Sequence, residues 1–247
     1  MSTSNNLRCR IHDTVIELHH GNIAEVEADA LVSNDDVYLS MSGGVGQAIN
    51  KAAGPRLQDD VRKFTLPREF GTTVVTGAGS LKAKYIFHTL IRDFVKNENV
   101  RTIVPNIVRH ILDLAMLLNI KSVALPLIGS GTMGVSEKVI VEYIFNSAMF
   151  YLAGRSYQID KLIIVLYEQD QLQEFLEQMF KKALATNELQ KQIRMMQNLF
   201  EALPYTDPLR PSLAQSLITA RHNLQNQFRF DALAGDPQVG HTISGAA

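Results

Sequence analysis

Two glycine-bearing loops hold the residues best suited to chemistry in this chain. The first is Met41-Ser42-Gly43-Gly44-Val45-Gly46, and the second is Pro126-Leu127-Ile128-Gly129-Ser130-Gly131-Thr132-Met133-Gly134. Each follows an apolar run that reads as a buried strand, and each leads into a helix pattern. Backbone without side chains lets N–H groups converge on an anion, and a helix start adds its positive end. Two such loops at one sheet edge would clamp a diphosphate, and a diphosphate suggests a nucleotide. The same glycines would also serve if their only task were to close tight turns. Beside the first loop stand two carboxylates, Asp35 and Asp36. A carboxylate there can bind hydroxyls, or orient and deprotonate a water. Side chains one apart on a strand point opposite ways, so the pair can equally cap a loop. Tyr38, just beyond, can stack on a base or simply pack.

The histidines offer less. His19-His20, His88 and His110 show no metal-ligand spacing with cysteine or carboxylates, so no metal site is expected. His88 fits a hydrogen-bonded core residue better than a ligand. A single cysteine, Cys9, excludes an intrachain disulfide framework and a multi-cysteine zinc site. A reducing, cytoplasmic compartment therefore fits. Met1 to Asn6 are polar, without the apolar centre of a signal peptide, and no apolar run reaches the roughly 18 residues that span a bilayer. The net charge of −1 gives no general pull toward nucleic acid or anionic membrane.

The elements that must position these loops alternate. Val15–Leu18, Ala30–Val32, Thr72–Thr76, Tyr85–Leu90, Ser122–Ile128 and Leu162–Tyr167 read as strands. Gly46–Ala53, ended by Gly54-Pro55, reads as a helix, as do Asn106–Leu118, capped by Asn106 after Pro105, and Glu137–Leu152. Alternation of this kind predicts an α/β fold with a mostly parallel sheet covered on both faces, and ligands bind at the carboxyl ends of such strands. From Gln171 to Leu203 the helix pattern is nearly unbroken, with a weak point at Thr186-Asn187. A further helix follows from Ser212. The expected organisation is a polar start over 1–7, a nucleotide-binding domain over 8–168, a helical extension over 169–230 and a flexible tail over 231–247. The apolar stripe of the extension suggests self-association of the chain.

Four segments in order carry a family resemblance. They are the run Gly21 to Asp36, which precedes the first glycine loop, then Gln47 to Gly54, then Thr76-Gly77-Ala78-Gly79-Ser80-Leu81 followed by Tyr85-Ile86-Phe87-His88, and last Pro126 to Gly134. Together they resemble a macrodomain, the ADP-ribose-binding module. The resemblance implies a three-layer α/β/α sandwich with a mixed, mostly parallel sheet and ADP-ribose across its crest. It implies no cofactor. Ligand contact is implied for Asn22, Ile23, Ser33, Asp36, Gly43, Gly44, Val45, Gly46, Gly129, Ser130, Gly131, Thr132 and Met133. Asn22 stands where the family usually carries an aspartate that contacts the adenine amino group. Asp36 falls on an asparagine that faces the distal ribose.

The departures favour binding of free ADP-ribose or an ADP-ribosylated group. One hydrolase type places an aspartate where this chain has Gly46. Met133 replaces an aromatic residue often found over the distal ribose. The paired glutamates of poly-ADP-ribose glycohydrolases are missing, and a lysine nucleophile used in another branch aligns with Ser80, near Lys82 and Lys84. The alternative is an ADP-ribosyl hydrolase with Asp35 or Asp36 as its catalytic carboxylate.

Overall fold

The computed structural model describes residues 7–11, 13–91, 100–128, 137–154, 157–167 and 173–228. Residues 1–6 and 229–247, which cover nearly all of the expected polar start and tail, lie outside the described residues. So do 168–172, where the extension was expected to begin.

Where the sequence suggests one strand at Val15–Leu18, the chain forms a hairpin of β1 (Arg8–Ile11) and β2 (Thr14–His20). β1 alternates exposed arginines with buried Cys9 and Ile11, a pattern too brief to stand out in the sequence. β3 (Ala30–Asp35) follows and leads into α1 (Gly44–Ala53). Gly54-Pro55 does not leave the chain in a loop. Pro55 opens a second helix, α2 (Pro55–Val61), because a helix start leaves its first N–H groups unpaired and proline has none to lose.

β4 (Thr73–Gly77) and β5 (Tyr85–Leu90) pair antiparallel. The turn after β4 is fastened to α1. Gly79 has φ 59°, a Cβ there would come within 2.2 Å of the Ala53 carbonyl oxygen, and the Ser80 N–H donates to that oxygen at 2.8 Å. α3 (Val100–Leu117) begins earlier than the sequence suggests, so Asn106 is not its cap and Pro105 lies inside it. Proline there removes only one bond, close to the helix start, and the helix continues. β6 (Ser122–Pro126), α4 (Glu137–Gly154) and β7 (Lys161–Leu166) complete the unit.

The seven strands form one mixed sheet in the order β1-β2-β7-β6-β3-β5-β4. Pairing is parallel from β2 through β5 and antiparallel at both edges. One face carries Leu31, Ile86, Ala124, Ile163 and Val165, which pack with Ile49 and Ala53 of α1 and Leu57 and Val61 of α2. Strand alternation sends buried Val32, Phe87, Leu125 and Ile164 to the other face, and on that side α3 packs against α4. The result is the expected α/β/α arrangement with additional helices toward the C-terminus.

The chain divides into two compact units, Met1–Leu184 and Ala185–Ala247. α5 (Gln173–Ala202) runs on through Thr186-Asn187 without a break, and α6 (Arg210–Phe228) starts two residues before Ser212. Within the second unit Ile193, Leu217 and Ala220 pack with Leu189, Met196 and Phe200. The Arg210 guanidinium lies over the rings of Phe200 and Tyr205, 4.1 and 4.6 Å from their centroids. Among the described residues no helix is long and apolar enough to cross a membrane.

Candidate functional site

Because β2, β7, β6, β3 and β5 run parallel, their carboxyl ends share one edge of the sheet. Five connections leave from it. Gly21-Asn22 follows β2, Tyr167 follows β7, Leu127-Ile128 follows β6, the Asp36–Gly43 loop follows β3, and Ile91 follows β5. β6 and β3 are neighbours, so both glycine loops spring from adjacent strands. Gly129, Ser130, Gly131, Thr132 and Met133 lie outside the described residues.

The first glycine loop is built to hold a helix start in place. The Asp36 carboxylate accepts the N–H groups of Tyr38 and Ser40, each at 3.0 Å, on Oδ1, and the Ser40 hydroxyl donates to Oδ2. The Ser40 and Ser42 hydroxyls are 2.8 Å apart. Leu39 and Met41 adopt left-handed φ values of 52° and 51°, yet both side chains are buried in the core. Gly43 then caps α1 in extended conformation without a side-chain bond. The first helical bond runs from the Gln47 N–H to the Gly43 carbonyl, so the amides of Gly44, Val45 and Gly46 have no intrahelical acceptor. A side chain at Gly44 would meet no atom within 4 Å, which leaves open space at that turn. Val45 packs against the core from the same turn.

Gly46 is the opposite case. A Cβ there would stand 2.8 Å from Asp35 Oδ1 and 3.1 Å from the Met41 Cα. The position where a hydrolase aspartate was sought thus has no room for a side chain, because the Asp35 carboxylate occupies it. Asp35 is fully buried. Its Oδ2 lies 2.7 Å from His88 Nδ1, and His88 Nε2 lies 2.9 Å from Thr76 Oγ1. The three residues come from β3, β5 and β4 and face the α1 side of the sheet. Asp35 Oδ1 is buried, has no partner among the described residues and lies beneath the first turn of α1. Ser33, one step back on the same face, is also fully buried, and its hydroxyl has no partner among the described residues. Asn34 points to the other face and donates to the Leu127 carbonyl at 3.3 Å, tying β3 to the start of the second loop.

At the far side of the edge, Asn22 caps a short 3-10 helix, Ile23–Glu25. Its Oδ1 accepts the Ala24 N–H at 3.1 Å, and its Nδ2 donates toward Glu25 Oε1 at 3.4 Å. Ile23 is buried in the core beside α1. The Gly21 N–H donates to the Leu166 carbonyl at 2.8 Å, which sets Tyr167 next to Gly21 and Asn22. Tyr167 is 81% exposed, unusual for a large aromatic side chain directly after a buried strand. From sequence alone it is simply the last residue of a strand. Its one signal was a tyrosine at the carboxyl terminus of an otherwise aliphatic run. His20, at the end of β2, has a buried Nδ1 with no partner among the described residues, and burial first, then the neighbouring His19, lowers its pKa. A separate open cavity of about 440 Å³ lies at the opposite, amino edge, lined by Glu27 to Asp29, Leu81 to Lys84 and Ser122. Its lysines are paired, Lys82 with Glu27 and Lys84 with Asp29. Among the described residues no cluster of metal-ligating side chains is present.

The arrangement has counterparts in known proteins. The family model described as the Macro domain matches residues 34–144. A macro domain-containing protein of Caldanaerobacter subterraneus subsp. tengcongensis is 32% identical over 145 residues, covering 57% of this chain and 83% of that one. The bovine (Bos taurus) ADP-ribose glycohydrolase MACROD1 is 31% identical over 160 residues, which cover 63% of this chain and only 49% of that protein. The macrodomain of Oceanobacillus iheyensis with ADP superposes with a TM-score of 0.62 at 18% identity, over 80% of this chain and 98% of that one. A parallel-centred sheet, a bare helix start after its third strand and a macro domain-containing relative matched over 83% of its length lead to one conclusion: this chain belongs to the macrodomain family.

Proposed function

We propose that this protein binds ADP-ribose, or a group that carries it, along the carboxyl edge of its sheet. The first turn of α1 carries the reading: three amides without intrahelical acceptors beside open space at Gly44. A diphosphate there gains charge-assisted hydrogen bonds of about 1.5–3 kcal/mol each and a helix-end contribution of about 0.3–1 kcal/mol. Two or three such bonds support micromolar affinity, about −8 kcal/mol. Gly43, Gly44, Val45 and Gly46 make one wall of the proposed site, and the family resemblance assigns the other to Gly129, Ser130, Gly131, Thr132 and Met133, which lie outside the described residues. The base lies at the opposite end, on Tyr167 and beside Asn22. β2 and β3 are separated by β7 and β6, three strand steps of about 4.8 Å, or roughly 14 Å, room for an extended nucleoside diphosphate.

The carboxylates contribute differently. Asp36 shapes the loop that faces the sugar, while Ile23, Ser33 and Asp35 support the site from within the core. With Gly46 in place of a side chain and Asp36 engaged by its own loop, binding is favoured over hydrolysis. Calorimetry with ADP-ribose tests the reading, and mid-micromolar or tighter binding is expected. No heat and no thermal shift at millimolar ligand would reject it. Incubation with a mono-ADP-ribosylated protein separates the enzyme alternative, for which release of ADP-ribose is required.

A reducing, cytoplasmic setting fits the single thiol, since Cys9 is buried and burial pushes its pKa up to about 12. Self-association through the C-terminal helices is supported by Met195, Leu199 and Ile218, large apolar side chains left exposed on α5 and α6.

A further inference from the structure

We infer that Asn22 tilts the base end of this site toward 6-oxopurines, so that a hypoxanthine or guanine nucleotide gains relative to its adenine counterpart. The inference rests on the proposed ADP-ribose-like site and concerns only which base that site prefers.

The argument starts from the orientation of one amide. Only the oxygen of Asn22 can accept the Ala24 N–H, so the 3.1 Å cap bond fixes which end of the side chain is which. Oδ1 is committed to the cap of the 3-10 helix, so Nδ2 keeps the side chain's spare hydrogen-bonding capacity. One of its hydrogens points to Glu25 Oε1 at a long 3.4 Å, and the other remains for a ligand. The group left for a ligand is therefore a donor. One strand over and level with Gly21, Tyr167 offers an exposed aromatic surface at the end of β7, its backbone set there by the Gly21 to Leu166 bond. An aromatic platform next to a fixed hydrogen-bonding edge suits a stacked heterocycle.

Such an edge distinguishes bases by what they present at position 6. A carbonyl oxygen there accepts from Nδ2. An amino group there meets it donor to donor, and one of the two then loses its partner. Neither base carries a charge, so the difference comes from hydrogen-bond matching alone, and one matched bond against one mismatch is worth about tenfold in affinity.

The test compares ADP-ribose with its hypoxanthine analogue by calorimetry, in the wild-type chain, in Asn22→Asp and in Tyr167→Ala. Aspartate caps a helix as well as asparagine does, so Asn22→Asp keeps the fold while turning the spare donor into an acceptor. The preference for hypoxanthine over adenine should fall at least about tenfold in Asn22→Asp. Tyr167→Ala should weaken both ligands to a similar extent and leave their ratio unmoved. A ratio that is the same in wild type and Asn22→Asp overturns the inference while leaving nucleotide binding intact. If the wild-type chain binds neither ligand, the proposed function fails and the inference with it.

Discussion

Two glycines in one helical turn should respond in opposite ways to the same added methyl. At Gly46 an alanine Cβ would stand 2.8 Å from Asp35 Oδ1, 3.1 Å from the Met41 Cα and 3.3 Å from the Met41 carbonyl carbon. None of these atoms yields easily, since Met41 contributes backbone and Asp35 is buried against His88. With one contact at 2.8 Å and two more at 3.1 and 3.3 Å, overpacking here falls in the upper part of the usual range, about 2–3 kcal/mol. The better helix propensity of alanine returns at most about 1 kcal/mol. Gly46→Ala should therefore be destabilised by about 1–2 kcal/mol, a fall of some 2–4 °C in Tm per kcal/mol for a domain of this size. At Gly44 the added methyl meets nothing within 4 Å. Gly44→Ala should match or exceed wild-type stability by up to about 1 kcal/mol, yet lose at least about tenfold in ADP-ribose affinity, because the methyl enters the space beside the amides. Urea denaturation gives the first quantity and calorimetry the second. A Gly46→Ala midpoint equal to wild type would mean that Asp35 swings aside freely. Unchanged affinity in Gly44→Ala would mean that the anion does not sit at this turn.

Other perturbations follow the same logic. His88→Ala leaves Asp35 buried and without its imidazole partner, so about 1–3 kcal/mol of stability should be lost in thermal unfolding, against little change if the pair were solvated. Asp36→Ala removes the acceptor for two loop amides and should cost about 1–3 kcal/mol, with Asp36→Asn recovering most of it through the retained oxygen. Equal stability of both variants and wild type would point instead to a purely chemical role. Asp29 has its pKa pushed up by burial, but the Lys84 ammonium and the amides of Lys121 and Ser122 outweigh this and hold it below the ordinary aspartate value. A depressed folded pKa means stability present above the unfolded value of about 3.9 and lost as pH falls through the folded one. The Tm gap between wild type and Asp29→Ala should thus be steady from about pH 5 to 7 and narrow below about pH 4. A gap that widens on acidification contradicts that sign. Replacing Met195, Leu199 and Ile218 together by glutamate should lower the mass seen by light scattering, and an unchanged mass would exclude association through those side chains.

Local pattern and remote contact account for what could be read in advance. Tyr85–Leu90 was legible to the residue because a dense apolar run lies between polar turns. The glycine loops were legible because their composition is unusual in itself. β1 and α2 were not: one is a brief alternation around Cys9 and Ile11, and the other starts at a proline that normally marks an end. Asp35 shows the deeper difficulty. Its surroundings come from His88 on another strand and from Gly46 on a helix, and no spacing along the chain announces that meeting. Tyr167 was hidden for the converse reason, since exposure at the end of a strand depends on what fails to cover it.

Leu39 and Met41 deserve a last consideration, since neither is a glycine and both hold left-handed backbone. That conformation is unfavourable for such residues and persists only where the surroundings enforce it. Here the enforcement is the burial of both side chains, so the turn is rigid before any ligand arrives. A nucleotide then meets a receptor that has already surrendered its conformational freedom, and little of the binding free energy is spent on ordering this segment. Trading both residues for glycine would relax the backbone and make recognition entropically harder at the same time.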